Sequence, residues 1–489
     1  MAVTRREFLT SSTAALAASL LQRTAFASSQ QGGPAAKRPA PNLLLIVSDD
    51  QALEDVGCYG NATIGTPNID RLAAAGVRFT RAFTPTAICE PSRVCIHTGL
   101  YGTSSGAAGF LPVRPGIATL GGVLKGAGYR TALVGKTHLE PIEQFGFDRR
   151  VESKELKSGR DVAAIAKRSL EFVHECVAAK QFFFLNVNFD DPHHPWPLTE
   201  AELPKAIAAW QRRQSAGPDP RDRACGEVAG LHDPAQVRLP GQLPDLPEIR
   251  AELARYCDAI TRLDRGVGLV LDLLEAEGIA GETFVLFLSD NGMDFPFCKT
   301  TLWDGGVHLP LLARWPGVAP RGAVCEELVS FVDVMPTFLE LAGVAAPPRM
   351  EGRSFVAALR DPKAPLRDEL LLTHSHQRQE GDYPSRGIRT RTFKYLRNFW
   401  APGAEFETIG MNHDSWKACL AASKGDAALA ERIDRFLHRP PVELYDLVAD
   451  PLERKNRADD PKCAGTRADL HARLKAMMAA IADPMTNRM

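Results

Sequence analysis

The chain has 489 residues, with 58 Lys+Arg against 59 Asp+Glu and 45% hydrophobic content. The formal net charge of −1 excludes a strongly basic nucleic-acid binder and a strongly acidic disordered tail, and ten Cys are too few for a disulfide scaffold. A chain of this length buries a sizeable core without staples, as roughly two to four ordinary domains or one large α/β domain with an appendage.

The sequence begins with Thr4-Arg5-Arg6-Glu7-Phe8-Leu9, then a mildly apolar Ala/Leu/Ser run to Leu21 and the small-x-small pattern Ala25-Phe26-Ala27. A paired Arg before Phe-Leu resembles a twin-arginine export signal, which moves proteins already folded. Residues 1–27 are therefore expected to be a signal peptide and residues 28–41 a flexible linker. Losing Arg5, Arg6, Arg23 and Glu7 takes the charge from −1 to −3. Beyond the signal, no apolar run approaches the ~20 residues of a membrane span. The expected destination is the periplasm or the exterior.

Four apolar runs follow, each ending in polar chemistry. Leu43 to Val47 meets Ser48-Asp49-Asp50; Thr131 to Val134 meets Gly135-Lys136-Thr137-His138; Phe182 to Val187 leads to Asp190-Asp191-Pro192-His193; Thr283 to Leu288 leads to Ser289-Asp290-Asn291-Gly292. Short continuous apolar runs suit strands buried on both faces, and the helical segments between them argue a largely parallel sheet. Ligands in such sheets sit beyond the carboxyl ends of the strands. Asp, Asn and Gly are ordinary strand-to-turn residues, so the signal is the repetition across four strands. Asp49, Asp50, Asp290 and Asn291 form an oxygen-only set that suits Ca²⁺ or Mg²⁺ and not zinc. Residues 249–277 carry the three- and four-residue spacing of a core-facing helix, closed by Gly278.

Cys89-Glu90-Pro91-Ser92-Arg93 sits apart from the other cysteines. Pro91 suits the first position of a helix, which would put Cys89 at the positive end of a helix dipole. Arg93 offers a fork suited to a tetrahedral oxyanion. Cys95, Cys176 and Cys257 suit buried apolar packing instead.

Cys89-x-Pro91-Ser92-Arg93 with Thr98-Gly99 resembles the signature of the type I sulfatases, whose fold is alkaline-phosphatase-like. Thr66-Pro67-Asn68, Gly135-Lys136-Thr137-His138, Asp191-Pro192-His193, Lys299 before Trp303-Asp304-Gly305-Gly306, and Glu443-Leu444-Tyr445-Asp446 extend the likeness over about residues 41–460. The resemblance implies that Cys89 is oxidised to Cα-formylglycine by a formylglycine-generating enzyme before export. It further implies that Asp49, Asp50, Asp290 and Asn291 bind one Ca²⁺ together with that residue. A hydroxyl of the hydrated aldehyde would attack sulfur, while Arg93, Lys136 and Lys299 hold the sulfate. His193 would protonate the leaving group, and His138 would assist the collapse that expels sulfate.

Phe182 to Leu185, Arg262-Leu263-Asp264-Arg265, Phe295-Pro296 and Tyr383-Pro384-Ser385-Arg386 resemble the sulfamidase branch, which implies an N-sulfoglucosamine substrate. Asp304-Gly305-Gly306 is instead similar to ordinary O-sulfatases. His374, His376 and Arg386 are candidates for the substrate rim, with loop polarity as their competing explanation. The expected catalytic domain covers 42–364, and a C-terminal antiparallel subdomain 365–489, with strands at Gly387 to Tyr395 and Val442 to Leu447. Residues 212–223 suit a solvated loop. Two further functions stay open: a formylglycine-dependent phosphonate or phosphoester hydrolase, and a non-catalytic, metal-stabilised glycan-binding protein.

Overall fold

Strand β1 (Asn42–Ser48) lies at the centre of a sheet and is buried along its whole length. Successive side chains of a strand point to opposite faces. Leu43, Leu45 and Val47 accordingly enter one core, and Leu44 and Ile46 the other. In this computed structural model, residues 40–199, 201–212, 228–377 and 381–489 are described. The expected signal peptide and most of the linker lie outside the described residues, as do residues 213–223 of the expected solvated loop.

The remaining strands of the large sheet are β2 (Val77–Phe83), β3 (Arg130–Gly135), β4 (Arg149–Glu152), β5 (Phe183–Asn188), β6 (Thr283–Ser289), β7 (His308–Arg314), β8 (Ala323–Cys325) and β9 (Val329–Ser330). Their order is β4-β3-β5-β1-β6-β7-β2-β8, with β9 also paired to β2. Only β7 runs antiparallel to its neighbours β2 and β6. The parallel centre β3-β5-β1-β6 therefore sends four carboxyl ends to one edge.

Helices α1 (Pro67–Ala74), α2 (Cys89–Thr98), α3 (Leu120–Gly126), α4 (Val162–Ala178), α5 (Pro247–Ala276) and α6 (Val334–Ala342) cover the two faces. Ile69 and Leu72 of α1, Phe172 and Val173 of α4, and Leu263, Val267 and Leu274 of α5 fill one face. Ile96 of α2, Leu120 and Leu124 of α3, and Phe338 and Leu339 of α6 fill the other. The result is the expected helix–sheet–helix arrangement. None of the described helices is long and apolar enough to cross a membrane.

A second sheet contains β10 (Glu369–Gln377), β11 (Gly381–Thr390), β12 (Phe393–Asn398) and β13 (Val442–Asp446), all antiparallel. The single strand expected over Gly387 to Tyr395 is two strands. Thr390 Oγ1 accepts the Phe393 amide at 3.0 Å, and the chain reverses at Arg391-Thr392. Helix α5, 30 residues and about 45 Å long, joins the parts. Its first half places Leu253, Tyr256, Cys257 and Ile260 in one core with Leu370, Leu372, Leu396 and Tyr445 of the second sheet. Residues 40–489 form one compact unit.

Candidate active site

The loops after the four central strands are stitched together by main-chain hydrogen bonds. Asp49 N donates to Asp191 O and Asp290 N to Ser48 O, both at 3.1 Å, and Lys136 N donates to Asn188 O at 3.1 Å. That last approach requires Gly135. Its φ is +106°, and a Cβ there would lie 1.8 Å from Asn188 O.

This stitching gathers the charged residues singled out in the sequence. Lys136 Nζ pairs with Asp49 Oδ2. Lys299 Nζ meets Asp50 Oδ1 at 2.6 Å, and Arg93 Nε donates to Asp290 Oδ2 at 2.8 Å. Asn291 Nδ2 donates to Asp50 Oδ1 at 2.6 Å, and the Asp50 amide donates to Asp290 Oδ1 at 3.2 Å. All of these side chains are buried. Asp50, Phe297, Thr300 and His138 have φ of +65°, +69°, +66° and +43°. Non-glycine residues in that region are held there by their surroundings, and such strain gathers at functional sites.

Helix α2 begins at Cys89 itself, with Ile88 as its cap, so Pro91 is its third residue and not its first. Cys89 remains in the first turn, where free amides favour negative charge. Burial nevertheless pushes its thiol up to about 11 against the pull of Lys136 and Lys299. It is therefore protonated near neutrality and poorly suited to act as a thiolate. Ser92 anchors the helix by donating to Asp290 O at 2.6 Å and sharing a hydrogen bond with Thr84. Arg93 Nη1 is buried with no hydrogen-bond acceptor among the described residues.

The carboxylates suit a hard cation. Burial raises Asp50 to about 8 despite Lys299, and raises Asp290 to about 6 with Asp49 adding to the effect. Burial opposes the charge of Asp49 as well, but Lys136, His193, Arg93 and Lys299 together outweigh it and hold that group well below its ordinary range. Asp49 Oδ1 and Asn291 Oδ1 are buried without a hydrogen-bond donor among the described residues. Oxygen donors crowded this way fit Ca²⁺ or Mg²⁺, which take carboxylate and amide oxygens. One ligand atom from each of Asp49, Asp50 and His193 lies within 4.8 Å of the others.

His193 Nε2 lies 3.8 Å from Asp50 Oδ2, while its Nδ1 faces the His194 carbonyl. Burial, Lys136 and Lys299 hold it neutral, well below the ordinary histidine range. His138 is depressed the same way by burial and Lys136. The rim expectation is corrected for two residues. Arg386 is buried, bonded to Asp483 at 2.6 Å and to the His374 carbonyl at 2.6 Å, so it fastens the C-terminal end of the chain. His374 is buried on β10 beside Thr300 and Thr301 and is no exposed rim residue. The His376 side chain lies outside the described residues.

Motif residues outside the charged centre act as supports. Asp264 accepts the Asn68 and Ile69 amides at 3.0 and 2.9 Å and caps α1. Arg262 grips Asp191, and Arg160 Nη2 donates to the His193 carbonyl at 3.1 Å. No sequence motif marked Asp294 and His413, which form a buried pair at 2.9 Å beside Lys299. Asp294 follows Asn291-Gly292-Met293 closely enough to have been noticed; His413 carries no such signal.

Comparison with known proteins agrees with this geometry. Residues 41–344 match the Sulfatase family, and residues 294–421 match the family described as N-sulphoglucosamine sulphohydrolase, C-terminal. The chain is 31% identical over 454 residues to human N-sulphoglucosamine sulphohydrolase, covering 86% of this chain and 87% of that protein. A solved structure in complex with its substrate D-glucosamine-2-N,6-O-disulfate aligns with a TM-score of 0.67 at 21% identity, covering 91% of this chain and 99% of the other. The phosphonate monoester hydrolase of Agrobacterium radiobacter aligns with a TM-score of 0.65 at 20% identity, over 90% and 96% of the two chains. These likenesses place the fold in the alkaline-phosphatase-like class. The chain belongs to the sulfatase family, with sulfamidase resemblance, and is a sulfuric ester hydrolase.

Proposed function

We propose that the protein removes sulfate from a sulfated sugar, N-sulfoglucosamine of heparan-type glycans, at the site around Cys89. The observation that carries this proposal is the convergence of Arg93, Lys136 and Lys299 on Asp49, Asp50 and Asp290 around the first turn of α2. The choice of sugar is supported by the named activity of the human relative, by the match over residues 294–421, and by the sugar bound in the aligned structure.

Ca²⁺ held by Asp49, Asp50, Asp290, Asn291 and the residue at 89 would supply positive charge to a sulfate oxygen and offset the crowded carboxylates. Cys89 as formylglycine would supply a hydrated aldehyde, one hydroxyl for attack on sulfur and the other for release of sulfate. Lys136 and Lys299 bind sulfate oxygens, and Arg93 offers its remaining N–H groups to charge that develops as the S–N bond breaks. His193 delivers a proton to the departing nitrogen; an anion between Lys136 and Lys299 offsets the lysines' share, after burial, of what keeps that ring neutral. His138, with its buried Nδ1 free of a hydrogen bond among the described residues, accepts the proton released at residue 89. The net reaction adds water across S–N, giving the free amine and sulfate.

Asp304, whose stretch is similar to O-sulfatases, is committed to Lys394 at 2.5 Å and Arg389 at 3.0 Å. It ties the site loop to the second sheet, so its identity carries no message about the substrate. Export by the twin-arginine route is part of the proposal; replacing Arg5-Arg6 by Lys-Lys is expected to leave the enzyme in the cytoplasm, and continued export would refute it. The function is tested by assaying N-sulfoglucosamine, 4-nitrophenyl sulfate, 4-nitrophenyl phosphate and a phosphonate monoester side by side. The proposal expects the sulfamate to be preferred. Preference for the aryl sulfate would favour an O-sulfatase, and preference for either phosphorus ester would overturn the sulfatase assignment of the site.

A further inference from the structure

The loop after Asn291 folds back on itself. Cys298 N donates to Phe295 O at 3.2 Å and Lys299 N to Met293 O at 3.1 Å, so the main chain at Lys299 returns to the residue before Asp294, and the two side chains are electrostatic neighbours. Asp294 is only 4% exposed. Its Oδ2 bonds His413 Nε2 at 2.9 Å, and its Oδ1 faces Gly410, where a Cβ would lie 2.9 Å away. Thr300 Oγ1 donates to Thr408 Oγ1 at 2.8 Å, so a segment more than a hundred residues downstream in sequence clasps the loop on both sides of Lys299.

His413 is itself fixed. Its ring lies 4.6 Å from that of His194 and 5.6 Å from that of Trp196, and Glu252 holds the next two amides, Asp414 N and Ser415 N, at 3.0 and 3.1 Å. Burial disfavours charge on both members of the pair. The mutual hydrogen bond and the surrounding charges together outweigh it, lowering Asp294 below the usual carboxylate range with help from Lys299 and raising His413 above the usual histidine range with help from Glu252.

Lys299 leans on Asp50 at 2.6 Å. In the proposed function Asp50 is a cation ligand, and a carboxylate whose charge is shared with a divalent cation holds an ammonium less strongly. Asp294 is then the acidic neighbour of Lys299 that the cation leaves untouched. We propose that Asp294, held by His413, is the positioning pair that keeps the Lys299 ammonium aimed at the sulfate of the substrate. The inference rests on the proposed function for the identity of the anion. It assigns part of the sulfate subsite to the C-terminal segment 408–413.

The test uses the full-length, metal-loaded protein and inorganic sulfate as the probe. Asp294→Asn removes the charge but keeps an acceptor for His413; His413→Gln keeps a donor for Asp294; His413→Leu removes it. The proposal expects Asp294→Asn to lose at least about tenfold in kcat, and to weaken sulfate binding severalfold by calorimetry. His413→Leu should follow it, and His413→Gln should recover most of both. His413→Gln should melt near the wild type, His413→Leu lower because it strands the buried Asp294 charge, and the deciding readout is the sulfate affinity of the folded protein. A merely structural role would lower the melting temperature and the active fraction while leaving the sulfate affinity of the folded protein unchanged. Wild-type sulfate affinity in both Asp294→Asn and His413→Leu overturns the proposal. If Asp294→Asn fails to fold, the His413 pair decides alone. Calorimetry needs no turnover, so a wild type that binds sulfate yet hydrolyses no sulfated compound would refute the proposed function without touching this inference.

Discussion

Arg262 grips Asp191 with two hydrogen bonds, Nε to Oδ2 at 2.7 Å and Nη2 to Oδ1 at 2.8 Å, and both residues are buried. The pair ties the long helix α5 to the turn that carries His193. Breaking a buried pair strands a charge away from water and costs about 3–5 kcal/mol. Arg262→Ala is expected to lose stability of that order in urea denaturation and to lower kcat by releasing the His193 turn. Unchanged stability would show that Asp191 finds another partner; Arg160 Nε, 3.5 Å from Asp191 Oδ1, is the nearest described cation.

Arg386 gives a contrasting prediction. Its ion pair with Asp483 predicts that Arg386→Ala destabilises the protein, again by about 3–5 kcal/mol, while KM for the sulfated substrate stays that of the wild type. A selective rise in KM with normal stability would restore Arg386 to the substrate rim.

His97, on α2 behind the site, predicts a pH dependence. It bonds Asn186 Oδ1 at 3.1 Å among Phe145, Phe147 and Phe184, and burial lowers its pKa from 6.5 to about 3. A depressed histidine keeps its full contribution above its unfolded value and loses it as pH falls from about 6.5 toward 3. Over that window the unfolded state binds the extra proton, adding a slope of about 1.4 kcal/mol per pH unit. His97→Gln is expected to flatten the acid limb of the stability profile, read from urea midpoints at about pH 7 and about pH 4.5. Identical profiles for variant and wild type would contradict the assignment.

The oxygen donors predict a metal-dependent melt. Chelation should lower the melting temperature, and Ca²⁺ at about a hundred times its Kd should restore about 2.7 kcal/mol. Asp290→Ala should abolish the calcium-dependent shift. A shift that survives in Asp290→Ala would place the ion elsewhere.

Much of this site could be read from the chain because four buried strands advertise themselves as apolar runs, and their polar ends must share one edge. The structure brings Asp49, Lys136, His193 and Asp290 together at that edge. The cysteine motif located α2, though the helix starts two residues before the proline that seemed to open it. Asp294–His413 was not legible, because the pair joins positions 119 residues apart through a tertiary contact with no periodic signal. Arg386 misled for a related reason: a cation on a strand near a presumed pocket looks like a ligand-binding residue until its buried partner Asp483 is seen. Phe182, expected inside β5, is 42% exposed just before the strand and packs on Tyr129, since apolar character alone does not fix a strand boundary.

The central claim is that residue 89 works as an aldehyde made from cysteine. Its most direct test is mass spectrometry of the peptide containing Cys89, from a preparation whose sulfate turnover is measured in parallel. The account predicts a peptide about 18 Da lighter than the thiol form, in proportion to activity, and loss of both in Cys89→Ala. A fully active preparation carrying only the unmodified thiol would contradict it.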